Sequence, residues 1–388
     1  MTRTVLAGGH VLDVLSGVVE RSDLAFEGDR IVSVATGLDG DVVVDCAGGL
    51  LVPGFIDCHT HVCLSRTLGS TQPYSLPRSA VPLSAVPVLA TLLRLGVTTV
   101  RDAWGADAGI RLAVASGWID GPEVLISLRQ LCTTGGIGDQ WAFGLGGFDS
   151  FADPAMPDPV SEGEVGARAA VRRMVRAGAD WIKVTATGSI RFPDAHDVQL
   201  TVAEMAALVE TAHRHGGRGV MVHAHAARAA ELAAVAGARS IEHGVWLDEA
   251  AVHAMASADC WYVPTLSATH GGSARHDGDL AEAHRRSVRL AIDAGVPIAM
   301  GSDAPVQPHA EVLHELAYLA EAGLGAMGAL RAATVNAARL LGLSTDRGVL
   351  AAGMRADIVL LNGTEPDVAA LDQRVRAVWR GGTRVSRE

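Results

Sequence analysis

Aromatic residues make up only 4% of the 388 positions, so any large core must be aliphatic. The five cysteines, Cys46, Cys58, Cys63, Cys132 and Cys260, are odd in number and scattered, with no CxxC pair and no zinc-finger spacing. That excludes a disulfide scaffold, fits a reducing compartment and makes the cytoplasm the expected location. No Lys/Arg-rich run occurs and the net charge is −11. Nucleic acid and anionic membrane both select basic surfaces, so neither is expected as a partner. No apolar run approaches the length of a membrane span. The opening MTRTVLAGGHVLDV has no continuous apolar segment followed by a cleavage site, so no secretory signal is read. A GxSxG nucleophile elbow is also missing. What is present is a 49% hydrophobic chain with 44 glycines: many short elements around a large core, in a length that suits one large domain and one smaller.

The two ends read as β-structure. Val/Ile/Leu runs at 3–7, 10–14, 23–27, 30–34 and 42–45 are punctuated by glycine, and the tail repeats the pattern at 356–362 and 374–385. Residues 1–52 and 346–388 are therefore expected to pair into one small β-domain. The middle alternates. Candidate strands lie at 51–57, 97–102, 123–127, 180–185, 218–225, 239–243, 259–265 and 296–303. Helical periodicity fills most of the gaps, as at 164–179, 201–216, 227–237 and 279–295. Apolar strands alternating with amphipathic helices predict an α/β fold with a parallel sheet, and eight of them predict a (β/α)8 TIM-type barrel over 53–345. The segment 130–159 breaks the rhythm and reads as a substrate-facing loop, with Trp141, Phe143, Phe148 and Phe151 available to pack.

His59 and His61 sit in GFIDCHTHV. Strand residues two apart point the same way, so both imidazoles can reach one metal. Lys183, His223, His243 and Asp303 each fall at or near the C-terminal end of a different candidate strand, the face where such barrels keep their active sites. Singly, each has a bland role: loop histidine, core histidine, turn residue, helix cap. Convergence of all of them is better explained by a divalent metal of the zinc type, which takes imidazole and carboxylate ligands. Lys183 is different, because a protonated lysine offers no lone pair. It is an ion-pair partner, a substrate-binding cation, or, once carboxylated by CO2, a bridge between two metals. Asp303 is placed to ligate a metal and to accept the proton of an attacking water.

These residues, in the segments PGFIDCHTH (53–61), VHAHA (222–226), SIEHG (240–244) and GSDAP (301–305), resemble the amidohydrolase superfamily. GVLAAGMRADIVLLN (348–362) is similar to the family segment that returns the chain to a small β-sandwich, which implies a β-sandwich domain formed by residues 1–52 and 346–388. TTVRDAWG (98–105), LCTTGGIGD (131–139), DWIKVTATG (180–188) and SIEHGVWLD (240–248) resemble its prolidase and imidazolonepropionase-related branch. The resemblance implies a binuclear centre of two divalent ions, zinc expected. His59 and His61 would bind one ion, His223 and His243 the other, with carboxylated Lys183 between them. Asp303 would be ligand and general base, and His225 a further catalytic or substrate-contacting residue. His309, after the eighth strand, is implied as a substrate contact. The activity implied is hydrolysis of an amide or peptide-type C–N bond by a metal-bridged hydroxide. The substrate would be a dipeptide, a C-terminally trimmed or modified peptide, or an N-acyl amino acid. A small-molecule or peptide substrate is thus the expected partner, and a homo-oligomer is left open.

Two positions depart from the family pattern near the substrate: Ile137 stands where the loop commonly has His, and Ser189 where a second Gly commonly follows Gly188. One rival reading is a mononuclear cyclic-amide hydrolase or deaminase of imidazolonepropionase type; Lys183 and Ala226 argue against it. A non-catalytic scaffold is the other, and the full ligand set argues against that. Elsewhere, Arg101 and Asp102 read as an ion pair at the barrel rim, Tyr262 as core, Glu315 as helix surface and His284 as surface or packing. His270 and His276 lie in a loop open to either substrate or solvent.

Overall fold

The computed structural model describes residues 2–64, 77, 79–149, 156–190, 193–271 and 278–386. Both chain ends enter one eight-stranded mixed sheet. Its order is Thr383–Arg384, Val375–Arg380, Ile358–Leu361, Leu50–Pro53, Arg3–Leu12, Val19–Glu27 and Arg30–Ala35, with Val42–Asp45 also pairing with Arg3–Leu12. The expected sandwich thus takes the form of a single hydrogen-bonded sheet. Leu24, Phe26 and Ile31 share a buried cluster with Ile358, Ala377 and Trp379, so strands far apart in the sheet order enclose one core. The runs 3–7 and 10–14 merge into the strand Arg3–Leu12, whose register shifts between Leu6 and Gly9.

The segment 51–57 is two strands, not one. Leu50–Pro53 belongs to the terminal sheet, and Phe55–Thr60 opens the parallel part of the fold. Gly54 makes the joint. Its N–H donates to Asp357 O at 2.8 Å, and a Cβ there would meet Thr98 Oγ1 at 2.3 Å.

Parallel strands follow in two sheets. Phe55–Thr60, Val97–Asp102 and Glu123–Ile126 form the first; Gln130–Leu131, Ile182–Thr185, Val220–Ala226, Ser240–Trp246 and Trp261–Val263 form the second. Helices between them include Ala80–Arg94, Gly163–Arg176, Val202–Arg214, Ala227–Val235, Glu249–Ser257 and Gly278–Asp293. Val97–Asp102 and Val220–Ala226 are buried at every position, as strands covered on both faces must be. Thr201 and Glu204 form a reciprocal capping box that starts the helix Val202–Arg214.

The expected eighth strand, 296–303, is not a strand. It makes isolated parallel bridges, Tyr262 with Ile298 on one side and Thr60 with Ala304 on the other. Asp303 has a left-handed φ of 52°, which interrupts extended geometry. Even so, Cys58 N donates to Met300 O at 2.9 Å and Asp303 N to His59 O at 2.7 Å, so this segment lies between the last strand of one sheet and the first of the other. Opposite, Asp180 N donates to Ile126 O at 2.8 Å and joins the two sheets. Among the described residues the ladder is therefore interrupted rather than continuous.

The loop after Gln130 forms a small hairpin, Trp141–Ala142 with Gly146–Gly147. Trp141 and Phe143 pack edge to face at 4.9 Å on an exposed surface, and Phe148 is half-buried. Phe151 lies outside the described residues. No described helix is long and apolar enough to cross a membrane.

Candidate metal centre

The strand Phe55–Thr60 and the residue after it carry His59 and His61 into one cleft. Their Nε2 atoms approach the same oxygen, Asp303 Oδ1, at 3.4 Å and 3.1 Å. His59, His61 and Asp303 form a cluster whose ligand atoms all lie within 4.8 Å of one another. Gly301 is required beside them, because a Cβ there would meet the His59 Cβ at 2.7 Å and Val263 Cγ1 at 2.5 Å. Asp57 ties the two segments together. Its carboxylate accepts from His59 N, Ser302 N and Ser302 Oγ, at 3.0, 3.1 and 2.6 Å.

Three more histidines close on this cluster. His223 and His225 project from Val220–Ala226, and His243 from Ser240–Trp246. Ring centroids are 4.8 Å apart for His59 and His243, 4.6 Å for His223 and His243, and 4.5 Å for His223 and His225. His223 uses Nε2 on Gly188 O (3.1 Å) and His243 uses Nδ1 on Thr265 Oγ1 (2.7 Å), so each keeps its other nitrogen for the cleft. Lys183 reaches the same cleft from Ile182–Thr185, and its buried Nζ has no hydrogen-bond partner among the described residues.

The cleft has a volume of about 350 Å³. It brings together all six expected ligands with His225, Ile137 and Ser189; Leu64, Trp104, Ile190 and Val306 add an apolar wall. His309 is not among the lining residues. It is buried with Nε2 3.2 Å from His61 O, where it supports the backbone of His61.

Electrostatics suit a cation. Burial pushes His223 down to about 3, and burial likewise holds His225 and His243 well below the ordinary imidazole range, so all three are neutral and keep lone pairs. Burial alone would raise Asp303, but its hydrogen bonds to His59 and His61 hold the carboxyl well below the usual range, as an anion. Burial pushes the Lys183 amine down to about 8, although Glu242 and Asp303 favour its charge. Neutral imidazoles, an ionised carboxylate and a buried lysine nitrogen without a partner form a donor set that fits divalent metal. Of the 32 Lys and Arg residues in the chain, Lys183 is the only lysine. Everywhere else arginine carries the positive charge; here the residue is the one whose nitrogen can be deprotonated and modified.

The structure also adds a residue that period-two reasoning does not find. Glu242 is fully buried and accepts from His59 Nδ1 at 2.7 Å. Burial opposes its charge, but Arg101 and His59 hold it down to about 2. Arg101 therefore pairs with Glu242 (3.0 Å) and with Cys58 O (2.6 Å), not with Asp102 as expected. Asp102 instead accepts from the backbone N–H groups of Val62, Trp104 and Ala106. Glu315 is buried rather than on a helix surface, and accepts from Leu266 N, Ser267 N and Ser267 Oγ. Tyr262 is core, as expected, and its hydroxyl donates to His243 O. His270 packs on Tyr318, outside the cleft lining; His276 lies outside the described residues.

Comparison with known proteins agrees with this geometry. The sequence model described as "Amidohydrolase family" matches residues 50–385. Ochratoxinase of Aspergillus niger is 31% identical over 364 residues, covering 86% of this chain and 75% of that protein. A solved prolidase complexed with N-methylphosphonate-L-proline is 35% identical with a TM-score of 0.88, over 100% of both chains. A Xaa-Pro dipeptidase with methionine bound in its active site is 28% identical with a TM-score of 0.89, over 99% of both chains. With a family match that spans most of its length and a histidine–aspartate cluster suited to a divalent ion, this chain belongs to the amidohydrolase family of metal-dependent hydrolases.

Proposed function

We propose that the chain hydrolyses the C–N bond of an amide or peptide flanked by apolar groups, using two divalent ions, zinc by preference. The substrate classes that suit it are dipeptides, C-terminally trimmed or modified peptides and N-acyl amino acids. The observation that carries this reading is the convergence of the chain's only lysine, buried and unpartnered, with His59, His61, His223, His243 and Asp303 in one cleft.

In this reading His59 and His61 would hold one ion and His223 and His243 the other, and Lys183, carboxylated on Nζ, would serve as a further ligand. The ions would supply an acidified water and a polarised scissile carbonyl. Asp303 takes the proton of the attacking water on its carboxylate and returns it to the leaving nitrogen as the C–N bond breaks. His225 faces the same cleft with a buried Nδ1 that has no hydrogen-bond partner among the described residues, and serves as a hydrogen-bonding contact to the substrate. Ile137 and Ser189 line the same cleft, and Ile137 with Leu64, Trp104 and Ile190 offers an apolar surface to the substrate. We read the two parallel sheets and the bridging segment 296–303 as a (β/α)8 barrel over 53–345, and residues 1–52 with 346–388 as the small terminal domain.

The test is to load the protein with zinc and bicarbonate, count metal per chain, and assay dipeptides, N-acyl amino acids and cyclic amides. Two ions per chain with amide hydrolysis is the expected result. A single-metal enzyme that is fully active with Lys183 uncarboxylated overturns the binuclear reading.

A further inference from the structure

His243 is held by groups that lie behind the cleft. Its φ of 70° is left-handed, a conformation that a residue with a Cβ keeps only when its surroundings enforce it. Its carbonyl accepts from two side chains, Tyr262 OH at 2.8 Å and His284 Nε2 at 2.7 Å. His284 comes from the helix Gly278–Asp293 and is fully buried, yet it does not line the cleft.

The tautomer of His284 follows from its neighbours. A carbonyl only accepts, so Nε2 must carry the proton and Nδ1, in the neutral ring, must accept. Nδ1 lies 2.9 Å from Thr269 Oγ1. Arg285 can only donate, and its Nη1 lies 2.9 Å from His270 Nε2. His270 must then bear its proton on Nδ1, which lies 2.9 Å from Thr269 Oγ1. The carbonyl of Leu266 lies 3.0 Å from His270 Nδ1 and 3.1 Å from Thr269 Oγ1 and so accepts from this pair as well, while Thr269 Oγ1 is the group beside His284 Nδ1. The orientation fixed by an obligate acceptor is that of His284, whose Nε2–H donates to the carbonyl of His243.

We propose that His284 is a positioning residue: its Nε2–H, with Thr269 against its Nδ1, locks the His243 peptide in the left-handed form that turns its imidazole into the metal cleft. The inference rests on the reading of His243 as a metal ligand. Tyr262 supplies the second donor, and Thr265 holds the ring by Nδ1.

The test compares zinc retention against a graded series of chelator for the holoenzyme and for His284→Phe, His284→Gln, Thr269→Val and His243→Ala, with circular dichroism and thermal unfolding as fold checks. Phe fills the ring's space without a donor, and the Gln amide restores one. His284→Phe is expected to weaken zinc binding about 10-fold or more, the scale of lost support to a ligand, and to lower kcat more than KM. His284→Gln should recover most of both, and Thr269→Val should show a smaller loss in the same direction. If His284→Phe does not fold, the comparison of Thr269→Val with the parent decides. Unchanged zinc retention in a folded His284→Phe, or in Thr269→Val where the first fails to fold, overturns the proposal, as does equal loss in the Phe and Gln variants. Parental zinc retention in His243→Ala would instead overturn the ligand reading beneath it.

Discussion

His59 donates from Nδ1 to Glu242 Oε2 at 2.7 Å, and this fixes which nitrogen it offers to the cleft. With Nδ1 occupied, Nε2 is the atom facing Asp303. Carboxylates behind ligating histidines commonly set both tautomer and basicity. Glu242→Gln keeps the shape and removes the charge. It should weaken zinc binding about 10–100-fold, measured by chelator competition. An unchanged affinity would mean that Glu242 serves only Arg101.

Lys183 offers a clean spectroscopic test because no other lysine competes. Protein loaded with zinc and [13C]bicarbonate should show one protein-derived carbamate resonance at Nζ. Lys183→Arg keeps a positive charge but cannot form the carbamate, and is expected to lose the second ion and fall to background turnover. A resonance that persists in Lys183→Arg would exclude Lys183 as its source.

Asp303→Asn should lower turnover by about 10²–10⁴, the usual worth of a positioned proton acceptor, with the melting temperature little changed. Turnover equal to the parent on a confirmed substrate would remove Asp303 from the chemistry.

Gly301 sits against His59 so closely that a methyl group must displace one of its neighbours. Gly301→Ala should cost about 1–3 kcal/mol in urea unfolding and also reduce metal retention. Full stability and full metal content together would contradict the contact.

Glu315 gives a pH signature. Burial pushes its carboxyl up to about 8, despite the three donors around it. In the unfolded chain it ionises near 4.3, to an approximation of about half a unit. The folded state thus holds the proton more tightly, so the contribution is complete below the unfolded value and is lost as pH rises through about 8. Against Glu315→Gln, the parent should lose stability between pH 5 and 8, by at most about 1.4 kcal/mol per pH unit. Urea titrations at several pH values measure this; a parent that gains stability relative to the variant over that range contradicts the assignment.

The proposed ligand residues are legible in sequence because five of the six close short apolar runs or follow them directly, and the sixth, Lys183, is the chain's only lysine and lies inside such a run. Glu242 is not legible for a physical reason. Side chains alternate along a strand, so placing His243 in the cleft turns Glu242 away. The left-handed φ at His243 breaks the alternation and lets both neighbours act in the interior. Asp303 shares this left-handed φ, at the end of the segment 296–303 that reads as a strand but forms only the isolated bridge of Ile298 with Tyr262. Helix positions follow the apolar period well: 164–179, 201–216, 227–237 and 279–295 correspond to Gly163–Arg176, Val202–Arg214, Ala227–Val235 and Gly278–Asp293. Burial of Glu315 and His284 depends on contacts between distant elements, which no local pattern encodes.

The joint at Gly54 has a consequence for assembly in time. The strand that delivers His59 and His61 is held at its start by Leu50–Pro53, which is flanked in the sheet by Arg3–Leu12 on one side and by Ile358–Leu361 on the other. During synthesis, His59 and His61 emerge early, but the strand that completes the sheet beside Leu50–Pro53 is made near the end. A nascent chain that stops before Ile358–Leu361 leaves one edge of Leu50–Pro53 unpaired, so closure of the sheet by the far end of the polypeptide is expected to precede high-affinity capture in the proposed metal cleft.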